Sequence, residues 1–220
     1  NKIAKGGRRL LFSWRGQVLY HFPRYSLGIR QQLCSLFQGA RWEAQGVVVS
    51  DKHSGHYLDE MLNSRFCGVF PGNGWGHIEP PILLGCIPVV IQDAILSPWE
   101  NVLNFSAYAV RIERAQMHRL PKILRSISPQ RVRAMQAALA RVWERFTYSS
   151  LGIAERDRRC AESPHSRSCN ALTEGLRGHS AHATGNDALS TLMQVLQLRL
   201  TAEARATALP IVTPPNQTDH

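Results

Sequence analysis

The residues best suited to chemistry lie in one segment, Phe66 to Asp93, with the sequence FCGVFPGNGWGHIEPPILLGCIPVVIQD. Its order is an apolar strand, a glycine-rich loop, the start of a helix and a second apolar strand. Glycine lets the backbone approach a ligand closely, and a helix N-terminus offers free N–H groups to an anion. We therefore predict a phosphate-binding loop with contacts from Gly72, Gly74 and Gly76. Their spacing matches no dinucleotide or P-loop motif, so a simple strand-to-helix turn is the alternative.

Three polar side chains follow the loop, and each has a structural alternative. His77 can contact a phosphate or a sugar, or can be a surface histidine. Glu79 can accept hydrogen bonds from ribose hydroxyls, or can be an exposed acid favoured by the first turn of a helix. Asp93 follows a strand at its carboxyl end, where α/β sheets bind ligands, but it can also cap the next turn.

Apolar runs that alternate with helical patterns must position these residues. Short strands are predicted at Arg9–Trp14, Gly46–Ser50, Phe66–Phe70, Cys86–Ile91 and Ala107–Ile112. Pro88 inside the fourth run argues against a strand, because proline lacks the N–H donor of a ladder. The alternation of strands with helices nevertheless predicts an α/β fold with a parallel sheet.

Helical spacing of apolar residues occurs at Tyr25–Phe37, Tyr57–Leu62, Ile78–Leu84, Arg114–Ile127, Pro129–Phe146 and Asp187–Leu200. The sequence divides into a domain at 1–150, a flexible Ser/Arg/His-rich insertion at 151–185, a helix at 186–205 that packs back on the domain, and a disordered tail at 206–220. The insertion is predicted from its shortage of large apolar residues.

Composition limits the function classes. The chain of 220 residues has a formal net charge of +10, which favours an anionic partner. A nucleic acid is not expected to be that partner, because the basic residues are scattered and no aromatic-interleaved motif is present. No run approaches the roughly 18 apolar residues of a membrane span. The chain does not begin with Met, so we expect any targeting segment or membrane anchor to lie upstream of Asn1.

The cysteines and the sequons give weaker signals. Cys67 and Cys86 lie in apolar runs, which favours buried free thiols. Cys160 and Cys169 can pair in an oxidising compartment, but the sequence does not decide this. The sequons are Asn104-Phe105-Ser106 and Asn216-Gln217-Thr218. The first lies in a segment expected to be packed, which argues against glycosylation there.

An ordered set of motifs resembles the exostosin family of glycosyltransferases. The pieces are LLFSWRG (Leu10–Gly16), GIRQQL (Gly28–Leu33), Tyr57–Cys67, Pro71–Gly74, GCIPVVIQD (Gly85–Asp93), PWENVLNF (Pro98–Phe105), SAYAVRIE (Ser106–Glu113) and the helix Asp187–Leu200. GCIPVVI is the most specific of them. The resemblance covers roughly residues 8–148 and 186–200.

The resemblance implies a Rossmann-like parallel sheet flanked by helices, similar to the C-terminal, donor-binding domain of a GT-B glycosyltransferase. It implies transfer of a sugar, with inversion, from a nucleotide diphosphate sugar such as a UDP-sugar to a glycan or polysaccharide acceptor. It also implies a Golgi location. Arg30 falls on the family's helix arginine and is expected to contact the diphosphate; the alternative is a surface arginine. The sequence has no Asp-x-Asp pair, which favours stabilisation of the leaving group without a metal.

One departure from the family pattern leaves a second function open. Family members often carry Arg-x-x-Glu after the glycine loop, where this sequence has His77 and Pro80, with Glu79 one residue early. No general base is evident, and the resemblance implies that it would come from another domain. The runner-up hypothesis is therefore a non-catalytic exostosin-like module or an inactive fragment.

Overall fold

The computed structural model describes residues 7–72, 77–148, 157–158, 160–164 and 187–207, with side chains of the last helix described up to residue 202. Within these residues the strands are β1 (Leu10–Arg15), β2 (Val47–Ser50), β3 (Ser64–Val69), β4 (Ile87–Val90) and β5 (Val110–Arg111). The helices with defined bounds are α1 (Ile29–Phe37), α2 (Ala40–Glu43), α3 (Tyr57–Asn63), α4 (Glu79–Leu83), α5 (Leu120–Ser126), α6 (Pro129–Val142) and α7 (Ala188–Thr207).

All strand pairs are parallel, and the order across the sheet is β2-β1-β3-β4-β5. The chain moves from β1 to β2 on one side and then crosses back to place β3 on the other side of β1. Since such connections are right-handed, α1 and α3 must cover opposite faces of the sheet. The prediction of a Rossmann-like α/β fold is confirmed. The order also creates a switch point between β1 and β3, where the chain leaves the sheet in opposite directions.

The strand residues alternate between two packed faces. Phe12 lies opposite Phe66 in the register of β1 and β3, and both side chains are fully buried in the main core with Leu33 of α1. The next pair in register, Ser13 and Cys67, faces the other side. Burial on both faces explains why these strands are nearly continuous apolar runs.

Pro88 is accommodated inside β4 because of the direction of its backbone groups. The N–H of Ile91 donates to Val69 of β3, and the carbonyl of Val90 accepts from Ile112 on the β5 side. Backbone groups of successive strand residues point to opposite neighbours, so the nitrogen of Pro88 faces β5. The pairing with β5 begins only at Val89, so the missing N–H breaks no ladder bond.

The expectation of free thiols at Cys67 and Cys86 is wrong. The two residues form a disulfide between β3 and the loop before β4, with Cα atoms 5.8 Å apart. Both side chains are fully buried and pack against Met61 of α3. Pairing of β3 with β4 brings the two sulfurs together, which the 19-residue separation in sequence does not reveal.

Three predicted elements are shorter than expected. The helix predicted over 25–37 begins only at Ile29, because Ser26 and Leu27 adopt left-handed backbone angles. The strand predicted over 107–112 is reduced to two residues in β5. The helix predicted over 114–127 starts with a 3-10 turn, Arg114–Arg119, before α5.

The last helix contacts the turn after α6. Arg145 donates to Thr191 (3.2 Å), and the N–H of Ala188 donates to the carbonyl of Thr147 (2.7 Å). Most of the predicted insertion at 151–185 and of the tail at 206–220 lies outside the described residues, so these boundaries stay predictions. Across the described part of the chain, no helix has the length and apolar character needed to cross a membrane.

Candidate functional site

The carboxyl ends of β1 and β3 border a cavity of about 190 Å³, here called the central cavity. It lies at the switch point of the sheet, which is where open α/β sheets bind ligands. Its walls come from the end of β1, from β3, from the start of α3 and from the loops before α1 and α4. They are Trp14, Arg15, Gly16, Gln17, Tyr25, Arg30, Tyr57, Gly68 and His77.

Arg30 is the most unusual residue of this cavity. It lies in the first turn of α1 with only 3% of its surface exposed, which excludes the surface alternative. Its Nη1 donates to Gln17 O (3.1 Å) and Tyr25 Oη (2.9 Å), and its Nη2 donates to Phe70 O (3.3 Å). All three acceptors are uncharged, so the guanidinium is held in position without being neutralised.

The charge of Arg30 is uncompensated among the residues that the structure describes. No carboxylate there lies within ion-pair distance of it, and its Nε has no hydrogen-bond partner. Burial lowers the pKa of Arg30, and the nearby Tyr25 opposes this only in part. The guanidinium carbon lies 5.6 Å from the centre of the Trp14 ring and 5.3 Å from that of Tyr25. A buried cation without an acid partner is costly, which favours an anionic ligand.

Gly72 and His77 share the space around this guanidinium. A Cβ added at Gly72 would collide with Nη2 of Arg30 and lie 3.1 Å from His77 Nε2. Glycine at this position therefore leaves room for the arginine rather than supplying an unusual backbone angle. Partial burial lowers the pKa of His77, and the charge of Arg30 lowers it further. His77 is consequently biased towards its neutral form until an anion arrives.

A strained turn positions Tyr25 next to Arg30. Ser26, Leu27 and Gly28 have φ values of 55°, 53° and 74°, which are left-handed and unfavourable for the two non-glycine residues. Arg114, which begins the 3-10 turn after β5, donates from Nη1 to Leu27 O (2.7 Å) and from Nε to Gln32 Oε1 (3.0 Å). This long-range contact stabilises the strained turn.

Glu79 and Asp93 do not line the central cavity. Glu79 opens α4, and its Oε2 is buried without a hydrogen-bond partner. Burial raises the pKa of Glu79, while its own backbone N–H opposes that shift. Both oxygens of Asp93 accept from the backbone N–H of Arg114, at 3.1 and 3.3 Å. Asp93 thus caps the turn that carries Arg114.

Two further cavities adjoin the central one along the same edge of the sheet. The β3–β4 cavity, about 280 Å³, shares His77 with it and has mainly apolar walls, with the buried Gln92 and Ser97 as polar groups. The β1–β2 cavity, about 610 Å³, shares Arg15, Gly16, Gln17 and Tyr57 with it and adds Asp51, Lys52, His53 and Ser54. Each of the two shares wall residues with the central cavity, and the three cavities are together called the groove here.

The structure brings Arg30, Gly72 and His77 together, although they are up to 47 positions apart in sequence. Gly74 and Gly76 lie outside the described residues. Sequence reasoning missed Trp14 and Tyr25, which contact the guanidinium through their rings. The signal in the sequence that could have identified Trp14 is its position just before the end of β1. Strand ends on either side of a switch point face the ligand.

Among the described residues, no group of three or more His, Cys, Asp or Glu side chains could hold a metal ion. The side chains that line the central cavity include the nitrogen groups of Arg15, Arg30 and His77. Nitrogen donors of this kind bind anions directly, and Arg in particular suits phosphate oxygens.

Comparisons with known proteins point to the same family as the motifs. The exostosin GT47 domain matches residues 1–127, more than half of the chain. A probable glycosyltransferase of Arabidopsis thaliana is 33% identical over 98 residues, which cover 43% of this chain and 18% of that protein. Exostosin-2 of Bos taurus is 28% identical over 168 residues, which cover 67% of this chain and 22% of that protein.

A probable glucuronosyltransferase of Oryza sativa subsp. japonica is 31% identical over 96 residues, which cover 42% of this chain and 22% of that protein. The chain spans less than a third of the length of each of these relatives. Their names describe whole proteins of which this chain matches one part. The domain match, the motif order and the parallel sheet agree, and the chain belongs to the exostosin GT47 family.

Proposed function

We propose that this chain is the donor-binding domain of a glycosyltransferase that moves a sugar from a nucleotide diphosphate sugar to a glycan or polysaccharide acceptor. Family membership supports sugar transfer, and relatives are named glycosyltransferases and glucuronosyltransferases. The single observation that carries the donor-binding role is Arg30, a buried guanidinium without an acid partner among the described residues, at the switch point of the sheet.

The diphosphate of the donor binds in the central cavity, against Arg30 and His77. In the reaction, the bond between the anomeric carbon and the diphosphate oxygen breaks, and negative charge develops on the departing diphosphate. Positioned cationic donors in a site of low polarity stabilise that charge without reorganising. The acceptor oxygen forms the new bond on the opposite face of the sugar, which inverts the anomeric carbon, and its proton passes to a base.

The rest of the donor extends along the groove in both directions. The base occupies the β3–β4 cavity, where apolar walls suit its ring and Gln92 offers an amide. The sugar occupies the larger β1–β2 cavity, which has room for an acceptor end and presents Lys52, His53 and Ser54. Both cavities share walls with the central one, and the apolar walls of the first and the polar walls of the second support this order.

The disulfide supports a location in the secretory pathway. Structural disulfides persist in oxidising compartments and are rare in the cytosol. Cys67–Cys86 is fully buried in the domain, so it belongs to the folded state of this chain. We propose the Golgi lumen or membrane, with a membrane anchor upstream of Asn1, as the resemblance implies.

Calorimetric titration of the purified chain with UDP, with and without manganese, tests the donor-binding role. Saturable binding without metal supports it, and uridine should bind far more weakly because it lacks the diphosphate that Arg30 would hold. A Glu79→Ala variant should retain most of the affinity, since Glu79 lies outside the groove. No binding by a well-folded chain contradicts the proposal.

A non-catalytic module is the second candidate, and one observation favours it. Of the described residues that line the three cavities, Asp51 is the only carboxylate, and it already accepts hydrogen bonds from Tyr20 and Gln38. A carboxylate that could act as general base for the acceptor without losing these bonds is therefore missing from the described walls. This candidate predicts UDP binding without transfer or hydrolysis of a UDP-sugar, even when an acceptor-binding domain is supplied.

A further inference from the structure

The loop between β4 and β5 presents a sequon whose surroundings differ from the sequence expectation. The sequence places Asn104-Phe105-Ser106 in a segment expected to be packed, which argues against glycosylation there. Only Phe105 is buried, with 8% of its surface exposed, while the side chains on either side of it are exposed to solvent. The Phe105 ring lies 5.4 Å from the Tyr108 ring centre and 5.4 Å from the guanidinium carbon of Arg111. Phe105 thus anchors the loop and turns its two neighbours outward.

The two exposed side chains contact each other. Ser106 Oγ donates to Asn104 Oδ1 at 2.9 Å, which leaves the amide nitrogen of Asn104 without an acceptor among the described residues. The backbone is fixed independently, because Asn104 O accepts from Ala107 N (3.0 Å) and Ser106 O accepts from Arg131 (2.6 Å). A group attached to the Asn104 nitrogen would therefore extend into solvent without disturbing a bond of the fold.

The site is also separate from the groove. Asn104 and Ser106 are absent from the walls of all three cavities. A bulky substituent there would leave access to Arg30 open. The disulfide Cys67–Cys86 supports passage of the chain through an oxidising lumen, where N-glycosylation takes place.

We infer that Asn104 carries an N-linked glycan. In the reaction, the amide nitrogen of Asn104 forms a bond to the anomeric carbon of an oligosaccharide linked to a lipid diphosphate. The bond from that carbon to the diphosphate oxygen breaks, the lipid diphosphate leaves, and the amide loses one proton. The hydroxyl of Ser106 is the third residue that the motif requires. This inference rests on the luminal location proposed above, but not on donor binding.

Expression of the full chain behind a cleavable secretion leader in eukaryotic cells tests the site. We expect a glycosidase-sensitive mass on the tryptic peptide that contains Asn104, the loss of that mass in Asn104→Gln and Ser106→Ala, and its retention in Ser106→Thr. Glycosylation precedes folding, so a folding defect in a variant does not imitate the loss.

The second sequon serves as a control in the same sample. Alkylation without reductant reports the Cys67–Cys86 bridge, which shows that the chain reached an oxidising lumen. A chain with the bridge formed and a glycan only at Asn216, or with no glycan, overturns the inference. Absence of both the bridge and the glycan removes the disulfide from which the luminal location was argued and contradicts the modification, whatever the result for UDP binding.

Discussion

Gly72 lies directly against the guanidinium of Arg30, so that any side chain at position 72 would occupy the place of Nη2. The backbone of Gly72 does not need a left-handed conformation, since no positive φ distinguishes it. The glycine is therefore explained by space alone, and the space belongs to the arginine. This pairing links the predicted glycine loop to the predicted helix arginine.

Replacement of Gly72 by alanine should weaken UDP binding without unfolding the domain. The added Cβ forces the guanidinium away from the three acceptors that hold it, which costs about 1 to 2 kcal/mol or about 5- to 30-fold in affinity. Gly55→Ala is the matched control, because a Cβ there meets nothing within 4 Å. Equal UDP affinities of the two variants in calorimetry would show that the position of Arg30 is unimportant.

Binding of UDP should become tighter as pH falls through the titration of His77. The pKa of His77 is lowered by burial and by Arg30 in the free chain, and a diphosphate beside it should raise that pKa. The bound state then takes up a proton. The gain in UDP affinity is therefore complete at pH values below the pKa of His77 in the free chain, and it is lost as pH rises through the pKa of His77 in the complex. His77→Asn should flatten the profile, whereas the exposed His118→Asn should not. A profile unchanged by His77→Asn would remove His77 from the site.

Arg114 should act on the site through the strained turn. Arg114→Leu removes the bond to Leu27 O, so Tyr25 loses its support and Arg30 loses its closest neutral partner. A loss of about 1 kcal/mol, or about fivefold in UDP affinity, is expected by calorimetry. Arg119→Leu, an exposed residue of the same 3-10 turn, is the control. If Arg114 has a purely structural role, the Arg114→Leu variant will have a lower melting temperature, and its UDP affinity when folded will be unchanged.

Removal of the disulfide should destabilise the domain. The double variant Cys67→Ala/Cys86→Ala opens a bridge of sequence separation 19, which costs at least about 3 kcal/mol in free energy of unfolding. Cys34→Ala, at the buried free cysteine of α1, should cost about 1 kcal/mol. Urea unfolding measures both. A double variant as stable as Cys34→Ala would mean that the bridge contributes little to the fold.

The strands were predictable because their physical signal is local. Ile87–Val90 is buried on both faces, whereas Val47–Ser50, at the edge of the sheet, alternates between buried and half-buried residues. Both are short β-branched runs, which are typical of strands in a parallel sheet. The capping of α6 was equally local: Ser128 accepts from Arg131 N at 3.2 Å, directly before Pro129. Each of these elements depends on residues that adjoin in sequence.

The features that the sequence did not predict depend on distant residues. The left-handed turn at Ser26 and Leu27 is held by Arg114, 87 positions from Leu27. The free-thiol expectation failed because the sulfur of Cys86 reaches that of Cys67 only after β3 and β4 pair. Likewise, Asp93 caps the turn at Arg114, a partner that becomes adjacent only through β4 and β5.

The most direct test compares the buried Arg30 with the half-buried Arg8. Arg8 donates to the carbonyls of Met61, Leu62, Ser64 and Leu84, so its hydrogen bonds stabilise the fold itself. Arg30 has neutral partners beside the central cavity and, among the described residues, no carboxylate that compensates its charge. Methionine at either position keeps the apolar stem and removes the charge.

We would measure UDP affinity by calorimetry and the free energy of unfolding for Arg30→Met and Arg8→Met. The account predicts that Arg30→Met loses about 30-fold or more in affinity, since removal of a buried charged partner costs about 2 kcal/mol or more, with little loss of stability. Arg8→Met should lose stability but keep its affinity while folded. Unchanged UDP binding by Arg30→Met, or no binding by the folded parent chain, would contradict the proposed donor site.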